Sequence, residues 1–201
     1  MRLVMVECSN VTHLMCDIQP KVKNIKIHFK VREKFKTLFL KNINELKDVT
    51  IYHGNFGVIK KNTYLQNKYT YIFFPDCGYI NVTGLPNYSS LAPCVLELTS
   101  IFGLRNHELS PPRIDNITAS GNFFCSIDLE TLAQQLLRES FFCFRTNQFP
   151  GLIIRAKNGT ILVFNSGKYT IVGLKCISHG IEMIQQVSAV MRNVKITMKD
   201  F

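Results

Sequence analysis

Two phenylalanines, Phe149 and Phe164, stand at the outer ends of neighbouring strand-like segments in FPGLIIRAKNGTILVFNSGKYTIVGLK (149–175). Between them lie Leu162, Thr170 and Val172, and Arg155 and Lys168 mark the margins. Large apolar rings, a small apolar floor and a pair of cations have the chemistry of non-covalent recognition, and an apolar patch with a basic rim marks an interaction surface. An isolated phenylalanine is ordinarily core, so the weight rests on their sharing one face. Residues for covalent chemistry are not arranged to work together. There is no HExxH and no phosphate loop, and His13, His28, His53, His107 and His179 have no cysteine at a usable spacing. The seven cysteines, Cys8, Cys16, Cys77, Cys94, Cys125, Cys143 and Cys176, form no CxxC pair and are odd in number, which favours small buried hydrophobes over disulfides or zinc. The expectation is therefore no metal, no cofactor and no enzyme.

Turn chemistry decides which side chains share a face. Asn158-Gly159 suits a two-residue hairpin loop that sets Arg155 opposite Leu162 and Ile153 opposite Phe164. Asn165-Ser166-Gly167 suits a three-residue loop with glycine left-handed, which sets Phe164 opposite Lys168 and Leu162 opposite Thr170. One face then carries Phe149, Gly151, Ile153, Arg155, Thr160, Leu162, Phe164, Lys168, Thr170 and Val172. The other carries Leu152, Ile154, Ile161, Val163, Tyr169 and Ile171. Antiparallel sheets usually wet one face with polar residues; here both faces are apolar, and something must dry the second.

The 201-residue chain carries a formal charge of +10, which suits an anionic partner, and its 46% hydrophobic content argues against disorder. No run reaches the apolar length of a membrane span, and the start, MRLVMVECSN, lacks a full signal-peptide core, so the expectation is a soluble intracellular protein without a membrane partner. Three blocks recur in order. KNIKIHFKV (23–31) matches DNITASGNF (115–123), GVIKK (57–61) matches GLIIR (151–155), and CGYINVTGL (77–85) matches SGKYTIVGL (166–174). Asn24 to Asn116 is 92 residues, Gly57 to Gly151 is 94, and Gly84 to Gly173 is 89. Helix signals fall at the same places in each half: about 33–42 and Ser90 to Phe102 in the first, a helix capped by Asp128 and one opened by Ser178 in the second. The reading is an N-terminal extension (1–20), repeat 1 (21–104), a linker (105–112) and repeat 2 (113–201). Each repeat has the order strand, helix, several strands, helix, and helices along one sheet face give an α+β layer.

FPGLIIR, LVF, SGK and VGLK, preceded by DNITASG and DLETLA, resemble the second repeat of the TATA-box-binding protein core, with similarity over roughly 24–104 and 113–201. The resemblance implies a saddle of about ten antiparallel strands with four helices on its convex face. It implies that the concave face binds the minor groove of A/T-rich double-stranded DNA, where phenylalanine pairs wedge between base steps and bend the duplex. Phe149 and Phe164 resemble the second-repeat wedges. Leu162, Thr170 and Val172 resemble the floor, Arg155 and Lys168 phosphate contacts, and Asn116 with Thr118 the central groove-reading positions, with Asn24 as the first-repeat partner. The first-repeat counterparts are Asn81, Thr83 and Lys61, with Phe56 or Asn55 at the outer wedge and Phe73 or Phe74 at the inner one. The implied function is a general transcription initiation factor that nucleates a pre-initiation complex with IIA- and IIB-type factors and RNA polymerase machinery, in the nucleus or at a site of viral transcription.

The chain departs from the family pattern in five places: NFGVIKK puts Phe56 one place later than FPGLIIR would, the second-repeat hairpin is two residues shorter than usual for the family, and three more departures concern Tyr79, YIFFPDCG and RTNQ. Tyr79 stands where Lys168 would predict a base, YIFFPDCG carries an inserted residue, and RTNQ (145–148) has no acid where the family docks a IIB-type factor. Two other classes stay open: a protein-interaction scaffold of this fold that has lost specific DNA binding, and an accessory module of a nucleic-acid enzyme. The wealth of asparagine, lysine and isoleucine hints at an A/T-rich genome, of a protist or a DNA virus.

Overall fold

A computed structural model describes residues 18–44, 50–52, 56–62, 68–192 and 197–198, with the side chains of 44, 50–52, 56, 58–62, 68, 197 and 198 excepted. The chain divides into two compact units, Val22–Ile117 and Thr118–Phe201, with the residues up to Lys21 grouped with the second. The sequence placed the division in a linker at 105–112. The contacts place it inside strand β6 (Arg113–Asn122).

In the first unit KNIKIHFK alternates apolar and polar residues and forms β1 (Lys21–Lys30), with Ile25, Ile27 and Phe29 buried and Asn24, Lys26, His28 and Lys30 in the opposite row. A short 3-10 turn leads into α1 (Lys36–Asn44), and the strands β2 (Thr50–Tyr52), β3 (Phe56–Asn62), β4 (Lys68–Phe74) and β5 (Tyr79–Leu85) precede α2 (Leu91–Phe102). Neighbouring strands follow the order β2-β3-β4-β5-β1, and the register of these pairs is antiparallel. Tyr71, Phe73, Ile80 and Val82 are buried beside β1's apolar row. Phe73 meets Phe102 of α2 with ring centroids 5.3 Å apart, and Phe102 meets Phe39 of α1 at 5.4 Å. Helices thus cover one face of this sheet. Asn42 donates to the carbonyl of Phe102 at 2.8 Å, and Gly103, at φ +59, ends α2 as its glycine predicted.

The segment read as a linker is ordered against this unit. Lys30 and Ser110 exchange bonds in both directions, Arg32 donates to the carbonyl of Glu108, and Leu109 is buried. The buried Glu108 carboxylate accepts from the backbone N–H of Arg105 at 2.8 Å. Two prolines and a charge cluster signalled a loop, but Leu109 and the ladder to β1 fix it.

In the second unit β7 (Cys125–Ser126) and α3 (Leu129–Arg138) precede β8 (Phe142–Thr146), β9 (Phe149–Ala156), β10 (Gly159–Val163), β11 (Lys168–Leu174) and α4 (Ile177–Met191), and β12 (Thr197–Met198) pairs with β7. The sheet order is β6-β11-β10-β9-β8. Asp128 caps α3 as expected, accepting from the Glu130 N–H at 3.0 Å and from the Thr131 hydroxyl at 2.6 Å. The cap of α4 differs from expectation. Cys176 holds the extended N-cap position without a side-chain capping bond, and its thiol is hydrogen-bonded at 3.1 Å to the hydroxyl of Ser178 in the first turn. Leu129, Leu132 and Leu136 of α3 and Met183, Ile184, Val187 and Met191 of α4 are buried with Leu152, Ile154, Ile161, Val163, Tyr169 and Ile171, so one sheet face is dried by helices. The Tyr169 hydroxyl reaches the carbonyl of Ile18. Residues 1–17 of the N-terminal extension, with Cys8, Cys16 and His13, lie outside the described residues.

The repeat is visible in the backbone. Gly78 and Gly167 sit at φ +68 and +80, and Gly84 and Gly173 at +102 and +86, the left-handed region that disfavours a side chain. At Gly167 a Cβ would also stand 2.2 Å from the carbonyl of Cys125, whereas at Gly173 the nearest atom is 3.6 Å away. Gly167→Ala is expected to cost about 2 kcal/mol or more and Gly173→Ala about 1 kcal/mol, read as the difference between their urea denaturation midpoints.

Candidate nucleic-acid interface

The face of the second unit that the helices leave uncovered is built by register. Leu162 lies opposite Thr170, Thr160 opposite Val172, and Ile153 opposite Leu162. Phe164 and Lys168 close the three-residue turn, the Phe164 N–H donating to the Lys168 carbonyl at 3.0 Å. Phe149, Ile153, Leu162, Phe164, Thr170 and Val172 are all half-buried, while Arg155 and Lys168 are exposed. The rings of Phe149 and Phe164 meet at 5.6 Å with an interplanar angle of 62°. The two phenylalanines singled out from opposite ends of two strands therefore form one edge-on pair. Gly151 makes room for it, because a Cβ there would lie 2.7 Å from Phe149 Cε1 and 2.8 Å from the Val163 carbonyl.

The Asn-Gly turn differs in detail. Ala156 pairs with Gly159 and Arg155 with Thr160, so the loop residues are Lys157 and Asn158, one place earlier than expected. Gly159 is not in the left-handed region; a Cβ on it would meet the Val172 carbonyl at 3.0 Å and Leu174 at 3.1 Å, so this glycine serves close strand approach. The slip moves each cross-strand partner by two along its strand, and both faces keep their membership.

Two aromatics that sequence reasoning passed over belong to the same face. Phe142 lies opposite Arg155 and Phe144 opposite Ile153. Their rings are 5.8 Å apart, and the Arg155 guanidinium sits 5.3 Å from the Phe144 centroid, a cation–π contact that holds Arg155 at the rim. The signal was present in FFCFR, where buried Cys143 alternates with the two phenylalanines.

In the first unit the register places Phe74 opposite Tyr79 and Ile72 opposite Asn81, in the row opposite buried Phe73 and Ile80. Phe73 is core, so Phe74 is the residue that the inner position of the uncovered face receives. Asn81 and Thr83 are half-buried in that region. Lys61 lies opposite the buried Tyr69, in the covered row, whereas Lys60 lies opposite Thr70. The first half's expected cation at Lys61 thus falls out of register by one residue. Phe56 pairs with Tyr52 at the end of β3; its side chain and Asn55 lie outside the described residues. Tyr79, which replaces the expected base, has Lys30 Nζ 5.7 Å from its ring centroid, with Lys30 directly opposite in register. The cation comes from the next strand.

Asn24 is committed to the fold. Its Oδ1 accepts from the Gly84 N–H at 2.8 Å and its Nδ2 donates to Thr83 Oγ1 at 3.3 Å, bridging the irregularity where β1 and β5 change register. Asn116 and Thr118 lie half-buried on β6 beside buried Ile117 and Ala119.

Comparison with known proteins agrees with this architecture. Residues 111–194 match the family model described as transcription factor TFIID (or TATA-binding protein, TBP). A TATA-box-binding protein of Pyrobaculum neutrophilum is 36% identical over 105 residues, covering 49% of this chain and 51% of the relative. That of Methanopyrus kandleri is 29% identical over 120 residues, covering 55% and 65%. The chain spans about half the length of most of the curated relatives it matches. Among solved structures, Methanococcus jannaschii TBP superposes with a TM-score of 0.67 at 19% identity, over 88% of this chain and 99% of that one.

Removing the Asn24 amide leaves the Gly84 N–H without its acceptor, so Asn24→Ala is expected to lower stability by about 1–2 kcal/mol in the absence of any ligand, measured by thermal denaturation. An unchanged melting curve would show that the amide is dispensable to the fold. The α+β architecture, the sequence match of the second repeat and the superposition over nearly the whole chain converge on one conclusion: this chain has a TBP-like core.

Proposed function

We propose that the chain is a TATA-box-binding-protein-like initiation factor that binds the minor groove of A/T-rich promoter DNA and bends it by inserting Phe149 and Phe164. The observation that carries this reading is the contact pair of half-buried rings on a sheet face that helices leave uncovered. A·T pairs show only acceptors and no amino group in the minor groove, so the small apolar floor of Leu162, Thr170 and Val172 fits them closely. Unstacking a base step costs a few kcal/mol, which the larger contact area of bent DNA offsets. Arg155, Lys168 and Lys30 supply salt-dependent attraction to phosphates. Asn116, Thr118, Asn81, Thr83 and Phe74 complete the contact set, with Asn24 acting through the β1–β5 bridge.

The partners in this reading are DNA and the initiation machinery, including factors of the IIA and IIB type and RNA polymerase, and the protein acts without cofactor or turnover. RTNQ has no acid of its own, but Glu130 reaches it from α3, 3.9 Å from Arg145, and lines an open depression with Thr146, Gln148 and Phe149. That carboxylate supports a IIB-type docking site at this edge. The relatives reported above are archaeal, so similarity supports a role in transcription and carries no nuclear address.

The test is fluorescence anisotropy on A/T-rich and G/C-rich duplexes over a salt series, with Phe149→Ala/Phe164→Ala beside the unaltered protein. Preference for A·T that falls more than about tenfold (1.4 kcal/mol) in the double variant is expected. Equal binding of both duplexes, abolished by salt and indifferent to the phenylalanines, would assign this face to a protein partner.

A further inference from the structure

The uncovered faces of the two units differ chemically at matched positions. By the 92-residue offset that pairs Asn24 with Asn116, Lys26 corresponds to Thr118, His28 to Ser120 and Lys30 to Asn122, and by the 89-residue offset Asn81 corresponds to Thr170. The second unit has three hydroxyls and an amide where the first has an imidazole, two ammonium groups and an amide. These groups are organised. The Asp115 carboxylate meets His28 Nδ1 at 2.6 Å and approaches Lys26 Nζ at 3.9 Å. The His28 ring lies 5.8 Å from that of Tyr79, and Asn81 stands opposite His28 in register. The side chains of His28 and Asp115 are 22% and 28% exposed, open enough to meet a ligand and enclosed enough to be held in place.

The consequence lies in hydrogen-bond polarity. A neutral histidine that donates from Nδ1 to a carboxylate keeps Nε2 as an acceptor. The carboxylate and the Asn81 carbonyl are acceptors too. In the minor groove A·T pairs present only acceptors, and the sole donor is the exocyclic N2 amino group of guanine. An acceptor cluster facing A·T leaves acceptors opposed to acceptors, while Leu162 and Val172 of the second unit would strand a guanine amino group without a partner.

We propose that His28, held by Asp115 and flanked by Asn81, is a specificity-determining acceptor site for the guanine amino group, so that the first unit takes G·C within its part of the site while the second unit excludes it. This rests on the minor-groove reading above. It makes the preferred sequence asymmetric and gives the bound protein one orientation.

The test replaces each A·T pair of a bound duplex, one at a time, with G·C or with inosine·C, which differ only by the N2 amino group, and measures affinity for the unaltered protein, His28→Thr and Asp115→Ala, each checked for folding by thermal denaturation. A contiguous set of positions is expected where G·C binds about threefold or more tighter than inosine·C, with that preference lost in His28→Thr, and positions elsewhere where the order reverses. The inference is overturned if the amino group weakens binding at every position, or if the preference persists in both variants. Failure to bind the A/T-rich parent duplex would overturn the minor-groove reading itself, and this inference with it.

Discussion

Strand register decides which side chains of each sheet become core and which stay uncovered. A strand presents its side chains alternately to two faces, so one residue of slip would exchange core for surface throughout a sheet. In the second unit the left-handed turn at Gly167 pins Phe164 to Lys168, and every residue of β10 and β11 inherits its face from that closure. Leu152, Ile154, Val163, Tyr169 and Ile171 then meet α3 and α4, and the Phe149–Phe164 pair is left on the other side. The same logic in the first unit buries Phe73 and directs Phe74 to the uncovered row.

Recognition follows from an incompletely dried sheet. Two apolar faces and one helical layer leave a surface whose burial requires another molecule, and a basic margin favours a polyanion. The two rings meet edge-on with Gly151 giving them space, and in the proposed binding such a contact would lower the cost of ordering them. Arg155 is held in the same way against Phe144. The first unit reaches a similar layout with different chemistry: Lys30 of β1 supplies the cation beside Tyr79, and Lys26 and His28, both contacting Asp115, stand where the second unit has Thr118 and Ser120.

Much of this was legible from residues alone, because alternation and turn glycines are local signals. The membership of both faces in the second unit, the three-residue turn, the Asp128 cap and the Gly103 terminator could be read from short windows. What was not legible depended on tertiary context. Gly159 reads as a turn residue until Val172 and Leu174 are seen to need the space. Ser178 is the better cap by type, yet the chain enters α4 through Cys176. The segment at 105–112 has loop composition, and only its ladder to β1 shows it to be fixed. Lys61 was placed by repeat alignment; the late Phe56 signalled a one-residue offset, but only the pairing of β3 with β4 sets Lys60, and not Lys61, opposite Thr70. Asn24 resembled a groove reader, and its bond to Gly84 shows that the fold uses it first.

In the proposed function the paired rings deform DNA. End-to-end energy transfer on a short A/T-rich duplex labelled at both termini reports this directly. Binding is expected to bring the ends together, and Phe149→Ala/Phe164→Ala to leave them at the free-duplex distance even at protein concentrations that saturate the DNA. Saturated binding by the unaltered protein with no change in end-to-end distance would contradict that expectation, and the phenylalanine pair would then have to be explained by something other than a bent minor groove.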